Sequence, residues 1–164
     1  MRIGIYNRNK VYDYAKKWAF SRNPAYYNFD LIGGDCTNFA SQCIFAGSNI
    51  MNYSLNNGWY YSNANSKSPS WTGVEFLYSF LVTNTSVGPF GMLVDFSETI
   101  LGDLVQLSFD GYTFSHSLII VKKGNDFFST SIASHTSDSF NKSLSEYIFK
   151  DIRFVHVKGV RFWK

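Results

Sequence analysis

Charge is scarce in this sequence: Asp, Glu, Lys and Arg fill only 16% of its 164 positions, as 15 basic and 12 acidic groups. So small an excess, with no basic cluster, excludes a chain organised around nucleic-acid phosphates. Lys16–Lys17 and Lys122–Lys123 are isolated pairs and read as solvated surface. Proline is also rare, with 3 residues, and the charges are dispersed, which leaves no flexible linker or charged tail. No apolar run reaches the roughly 18 residues that a membrane span requires. Residues 1–25 carry Arg, Lys and Asp throughout and lack an apolar export segment, so a soluble domain with no visible export signal is expected.

The chain holds only 2 cysteines and 3 histidines. Neither Cys-x-x-Cys nor His-Glu-x-x-His occurs, and neither a Gly-x-Gly-x-x-Gly nor a Walker loop, so no metal and no nucleotide cofactor is expected. What the sequence does have is aromatic side chains, 4 Trp, 11 Tyr and 16 Phe, or 19% of positions, within a hydrophobic content of 45%. At this length that is enough for one domain over residues 1–164, with a core burying about two-thirds of the unfolded surface. The aromatic excess also suits stacking on sugar rings, which motivates one rival reading, a non-catalytic cell-wall-binding module.

The first half of the chain has helical periodicity. Val11, Ala15, Trp18, Ala19 and Arg22 share one face of a helix over residues 9–21, with Asn9 as its cap and Asn23-Pro24 as its stop. A second helix, 36–46, places Cys36, Phe39, Ala40, Cys43 and Ile44 on one face, and Gly47 is its expected C-terminal stop. Residues 48–71 lack a sustained period and read as a long functional loop. Thr72 and Glu75 form an expected capping box for a third helix. After Gly102 the period falls to about 2, predicting strands at 104–109, 115–122, 127–134 and 153–158, with a hairpin turn at Gly124-Asn125-Asp126. Helices followed by strands indicate an α+β fold, with N-terminal helices packed on a C-terminal antiparallel sheet.

Within that frame the two cysteines differ. On one helix they stand about 10.5 Å apart along the axis, beyond the roughly 7 Å limit for a disulfide. Cys43 sits among apolar neighbours and reads as core. Cys36 follows Gly33-Gly34-Asp35 and opens the helix, where unpaired N–H groups lower a thiol pKa and can stabilise an oxyanion. A cysteine nucleophile needs a base. His116 begins a strand and is the candidate. His135 ends the next strand, and a hairpin through residues 124–126 sets both near one end of the sheet, as an orienting residue requires. Asp138 and Asn141 are alternatives for that role, whereas His156, between alternating valines, reads as structural and Asp103 as a turn residue.

The segment from Gly33 to Gln42, Gly-Gly-Asp-Cys-Thr-Asn-Phe-Ala-Ser-Gln, resembles the nucleophile motif of the bacterial putative amidase domain family, amidase family six. More distantly it is similar to motifs of NlpC-type and CHAP-type cell-wall peptidases. The resemblance continues through Asn23-Pro24-x-Tyr26, Gly102-Asp103-Leu104-Val105-Gln106, His116-Ser117-Leu118-Ile119-Ile120-Val121 and His135-Thr136-x-Asp138, covering about residues 9–158. It implies a papain-like cysteine peptidase fold, with Cys36 as nucleophile, His116 as general base and His135 as third group. Asp35, Tyr26 or Tyr27 would assist at the oxyanion. Thr37-Asn38 stands where the NlpC-type motif has Ser-Gly, which places the sequence nearer the amidase family.

The expected activity is hydrolysis of an amide or peptide bond through a thioester, on peptidoglycan peptides, outside the cell or at its wall, with a cytoplasmic stage before release allowed. Trp59, Tyr60, Tyr61 and Trp71 of the long loop are expected to wall the substrate groove. A monomer is expected, and an acyltransferase using the same Cys-His pair is the second rival.

Overall fold

The computed structural model describes residues 1–164, and its strands pair antiparallel throughout. A short strand β1 (Arg2–Gly4) precedes helix α1 (Arg8–Trp18). Asn7, not Asn9, caps α1, its side chain accepting from the Lys10 amide. The helix stops at Trp18, so Arg22 lies outside it. Helix α2 (Cys36–Ser48) runs through Gly47 and ends at Asn49, which takes the left-handed conformation (φ 54°). Gly47 is therefore a packing residue and not a stop: a Cβ there would lie 2.6 Å from Val11 Cγ2 and 2.7 Å from Tyr6 Cε2. The missing side chain lets α1 cross α2 closely.

The segment after α2 is far more ordered than its composition suggests. It carries the two-stranded hairpin β2 (Tyr61–Asn63) and β3 (Ser66–Lys67), then a single helical turn α3 (Pro69–Thr72), and leads into α4 (Val74–Thr83). Gly73 occupies the N-cap of α4, so the Thr72–Glu75 capping box does not form.

Seven strands make the main sheet, in the order β1-β9-β5-β6-β7-β8, with β4 (Gly88–Val94) also paired to β9. The others are β5 (Leu104–Ser108), β6 (His116–Lys122), β7 (Ser131–Ser134), β8 (Ser139–Ser143) and the 12-residue β9 (Asp151–Phe162). The long β9 serves three partners: β5 along 151–155, β4 along 154–161 and β1 along 160–162.

Strand alternation divides the core between the two faces of the sheet. Leu104, Ile119, Val121, Ala133, Val155 and Val157 face the helices and join Phe39, Cys43, Ile44, Trp59 and Trp71 in a cluster of 22 buried residues. Val105, Leu107, Leu118, Ile120, Ile132, Leu144 and Phe154 form a smaller cluster on the opposite face. The architecture is α+β, with the N-terminal helices packed against an antiparallel sheet.

Candidate active site

Gly33 and Gly34 both lie in the left-handed region (φ 82° and 94°), and together they turn the chain into α2. Asp35 follows at the N-cap, but its carboxylate does not bond the helix backbone. Oδ1 accepts from the Phe29 amide (2.9 Å) and Asn38 Nδ2 (2.9 Å), while Oδ2 takes His135 Nδ1 at 2.6 Å. Burial alone would raise the Asp35 pKa, yet these bonds together hold it below the ordinary carboxylate value. The residue that starts the helix is thereby locked from three directions.

Cys36 is buried, 7% exposed, at the first position of α2. Pairing between β6 and β7 runs only from Ile119↔Ala133 to Lys122↔Ser131, so the first residues of β6 have no strand on that side. There the Ser117 backbone acts on the thiol to lower its pKa, and the Thr37 hydroxyl lies 3.8 Å from the same sulfur. Burial is the largest influence on the thiol and pushes its pKa up. Bonds from Ser117 and Thr37 oppose it and the Asp35 charge adds to it, with a net rise. The helix N-terminus predicts a lowered pKa, but desolvation outweighs it here.

His116, also 7% exposed, is the residue before Ser117 and projects to the other face of β6, paired with Leu107. Its Nε2 lies 3.3 Å from Ser134 Oγ, its ring is 5.9 Å from that of Tyr147, and Nδ1 makes no hydrogen bond. Burial, with a smaller contribution from Lys142, depresses its pKa to about 4, so the imidazole is neutral at pH 7. Cys36 and His116 approach the end of β6 from opposite faces, and no hydrogen bond joins them. A groove of about 250 Å³ opens over His116, lined by Phe109, Ser115, Thr136, Ser137, Lys142 and Tyr147. A larger cavity of about 600 Å³, bordered by Tyr78, Phe96, Phe114 and Arg153, includes neither Cys36 nor His116. The smaller groove reaches His116, and Cys36 does not line it.

The hydrogen bond expected between His135 and His116 is not made. The cause is parity: Ile119↔Ala133 sets the register, so residues 135 and 133 face the helices while 116 and 134 face away. His135 stacks on Phe39 at 4.0 Å, and its Nε2 bonds the Trp18 carbonyl at 2.8 Å. With Asp35 on Nδ1, both ring nitrogens are engaged by acceptors. Ser134, which its own sequence context does not single out, is the polar group that meets His116. No sequence signal marks it, because the parity depends on a register that shifts between Ile120 and Lys122.

Other expected site residues are placed elsewhere. Trp59 and Trp71 are fully buried and offer no surface to a groove. Their indole N–H groups bond Ser41 and Asn38 of α2, so the aromatic loop folds down onto that helix. Tyr60 stacks on Tyr53 at 5.0 Å, beside a separate hollow of about 180 Å³. Tyr26 stacks on Trp71, and Tyr61 donates no wall either, since its hydroxyl accepts from the Tyr27 amide. Tyr27, 45% exposed, is tied by its carbonyl to Asn38. Asp138 pairs with Arg22, which also grips Asp30, and so does not reach His116. Asn141 is exposed on β8. His156 bonds Asp103, which is buried and also held by Arg8, an arrangement that pins α1 to β9.

Thr136 and Ser137, between β7 and β8, both have positive φ (61° and 60°), uncommon outside glycine and an outlier for the β-branched Thr136. The Thr136 hydroxyl accepts from the Asp35 amide at 3.3 Å, joining this strained turn to the cysteine loop. No group of three or more His, Cys, Asp or Glu residues is arranged to hold a metal ion. No helix is long and apolar enough to cross a membrane.

The family model described as "Putative amidase domain" matches residues 5–157. The sequence is also 36% identical over 122 residues to the uncharacterized protein YhbB of Bacillus subtilis (strain 168), an alignment covering 72% of this chain and 38% of that protein. The chain thus spans well under half the length of this relative. No solved structure matches.

Proposed function

From the membership of this chain in the putative amidase domain family, we propose that it is a cysteine-dependent amide hydrolase of papain-like design. The observation that carries this reading is the docking of the first turn of α2, which Cys36 opens, on the start of β6: Thr37 Oγ1 lies 2.9 Å from Oγ of Ser117, the residue after His116. A helix-borne thiol and a strand-borne imidazole are thereby brought to one end of one strand. Elimination among the histidines supports His116 as the base. His135 has both nitrogens occupied, His156 is bound to a buried aspartate, and only His116 keeps Nδ1 free beside an open groove.

In this mechanism the neutral imidazole removes the Cys36 proton as sulfur attacks the amide carbon. A tetrahedral oxyanion forms and meets first-turn N–H groups of α2. Its collapse expels the amine, which takes the proton from His116, and leaves a thioester. Water, deprotonated by the same imidazole, then releases the acid and restores the thiol. Attack requires the His116 ring to turn around the strand end toward sulfur; such pairs are often looser without substrate. Ser134 holds Nε2 in the resting position, and the turn toward sulfur releases that contact.

Peptidoglycan stem peptides are the proposed substrate, with wild type and Cys36→Ala incubated with purified peptidoglycan and released fragments weighed. Fragments are expected from wild type alone, and His116→Gln should behave as Cys36→Ala. Equal release by Cys36→Ala overturns the cysteine mechanism. An added amine separates hydrolysis from acyl transfer, because a transferase forms the new amide in place of the acid. The burial of Trp59 and Trp71 argues against a sugar-stacking module.

A further inference from the structure

A row of polar side chains crosses the helix-facing side of the sheet at the level of Cys36. Ser117 on β6, Gln106 on β5 and Arg153 on β9 are direct cross-strand partners, through Gln106↔Ser117 and Gln106↔Arg153. Gln106 and Ser117 have no exposed surface, and Thr37 has 1%. A buried polar row among apolar neighbours is costly unless each member is satisfied, and here each is.

The direction of the bonds follows from chemistry. Arg153 has donors only, and its Nε and Nη2 lie 2.9 and 2.6 Å from Gln106 Oε1, so Gln106 presents its oxygen to Arg153. Gln106 Nε2 then donates to the Val74 carbonyl (2.9 Å) and to Ser117 Oγ (3.1 Å). Because Gln106 Nε2 can only donate, Thr37 Oγ1, 2.9 Å away, is the acceptor that satisfies the Ser117 hydroxyl proton. The Thr37 proton is left for Cys36 Sγ. Arg153 is itself fixed, its guanidinium 3.8 Å from the Tyr78 ring centroid and 4.0 Å from that of Phe114, with Glu75 at 3.1 Å.

We propose that Arg153, Gln106, Ser117 and Thr37 form a polarised hydrogen-bond chain that donates to Cys36 Sγ and stabilises its thiolate, with Gln106 as the positioning residue that sets its direction. This rests on Cys36 as the nucleophile proposed above. The chain offsets, at a distance, the burial that disfavours the charged sulfur. The other titratable groups around the sulfur are Asp35 at the N-cap, His116 on β6 and Tyr147 after β8, with Lys142 of β8 beyond His116. None of them takes part in the row.

The test is the pH dependence of Cys36 alkylation by iodoacetamide, followed by peptide mass mapping, which needs no substrate. Thr37→Val removes the last donor while keeping shape, and Gln106→Glu replaces the donor with an acceptor and reverses the chain. Both should lower the Cys36 labelling rate about tenfold at pH 8, by moving its midpoint up about one unit. Thr37→Ser should restore the wild-type profile, which a merely structural threonine methyl would not predict. Circular dichroism establishes that each variant is folded. Should Gln106→Glu fail to fold, Thr37→Val and Ser117→Ala carry the test. Profiles of folded Thr37→Val and Ser117→Ala that superimpose on wild type overturn the chain, whatever the hydrolysis assay shows. A shifted profile in a protein that cleaves no amide keeps the chain and removes the hydrolase.

Discussion

At the scale of single residues, the candidate pair is a thiol and a neutral imidazole, not a preformed ion pair. Both groups are buried, and burial disfavours each charged form: it raises the Cys36 pKa and lowers that of His116 to about 4. The sequence made Cys36 legible through Gly33-Gly34-Asp35 and the helical spacing that follows, but the sign of its pKa shift was not, because a helix terminus is visible in sequence and desolvation is not. Two pH dependences follow. With His116 as the proposed base, neutral down to a pKa of about 4, the acid limb of kcat/KM should fall near pH 4 and not near 6.5. Alkylation of Cys36 in the wild type should still be rising above pH 9, the ordinary value for a free thiol. A labelling plateau between pH 6 and 7 would show a thiolate–imidazolium pair and reject this electrostatic picture. Cys43, fully buried in α2, should stay unlabelled throughout.

At the scale of elements, α2 and strand parity decide what reaches the site. Gly47 permits the close crossing of α1 over α2, so Gly47→Ala forces a methyl against Val11, Tyr6 and the Asn7 carbonyl. Overpacking of this kind should cost about 1–3 kcal/mol, read as a lower urea midpoint, and a midpoint equal to wild type would show that α1 can shift freely. The apolar periodicity of α1, α2 and α4 and the valine-rich and isoleucine-rich strands β5, β6 and β9 were readable from sequence, to within a few residues at their ends. Strands β1, β4 and β8 were not. β4 begins Gly88-Pro89 and contains Gly91, and β8 reads Ser-Phe-Asn-Lys-Ser, compositions that resemble loops until a neighbouring strand supplies pairing. The same dependence on partners hid the third polar group. Hairpin position correctly brought 116 and 135 to one end of the sheet, but only the register shows that a one-residue difference sends His135 to the helix face and leaves Ser134 beside His116.

At the scale of the whole molecule, the buried His116 couples the site to the stability of the fold. In the unfolded chain its pKa returns to about 6.5, whereas in the folded protein it is about 4. Between those values the unfolded state binds the extra proton, so stability is fully present above pH 6.5 and is lost as pH falls toward 4. The loss at pH 4 amounts to about 3 kcal/mol, a large part of the 5–15 kcal/mol typical of a domain. Asp35 acts in the same direction but lower, because its folded pKa lies below the ordinary carboxylate value and its contribution fades only as pH drops beneath that range. The two can be separated by urea unfolding at pH 7 and pH 4. Wild type should lose about 3 kcal/mol more than His116→Gln over this interval, since glutamine fills the site without titrating. Lys142→Met, which removes the positive charge facing the imidazole, should shrink the difference, because His116 can then hold a proton at higher pH. An identical loss in wild type and His116→Gln would mean that His116 is hydrated in the folded state, and the depressed pKa assigned to the proposed base would have to be abandoned.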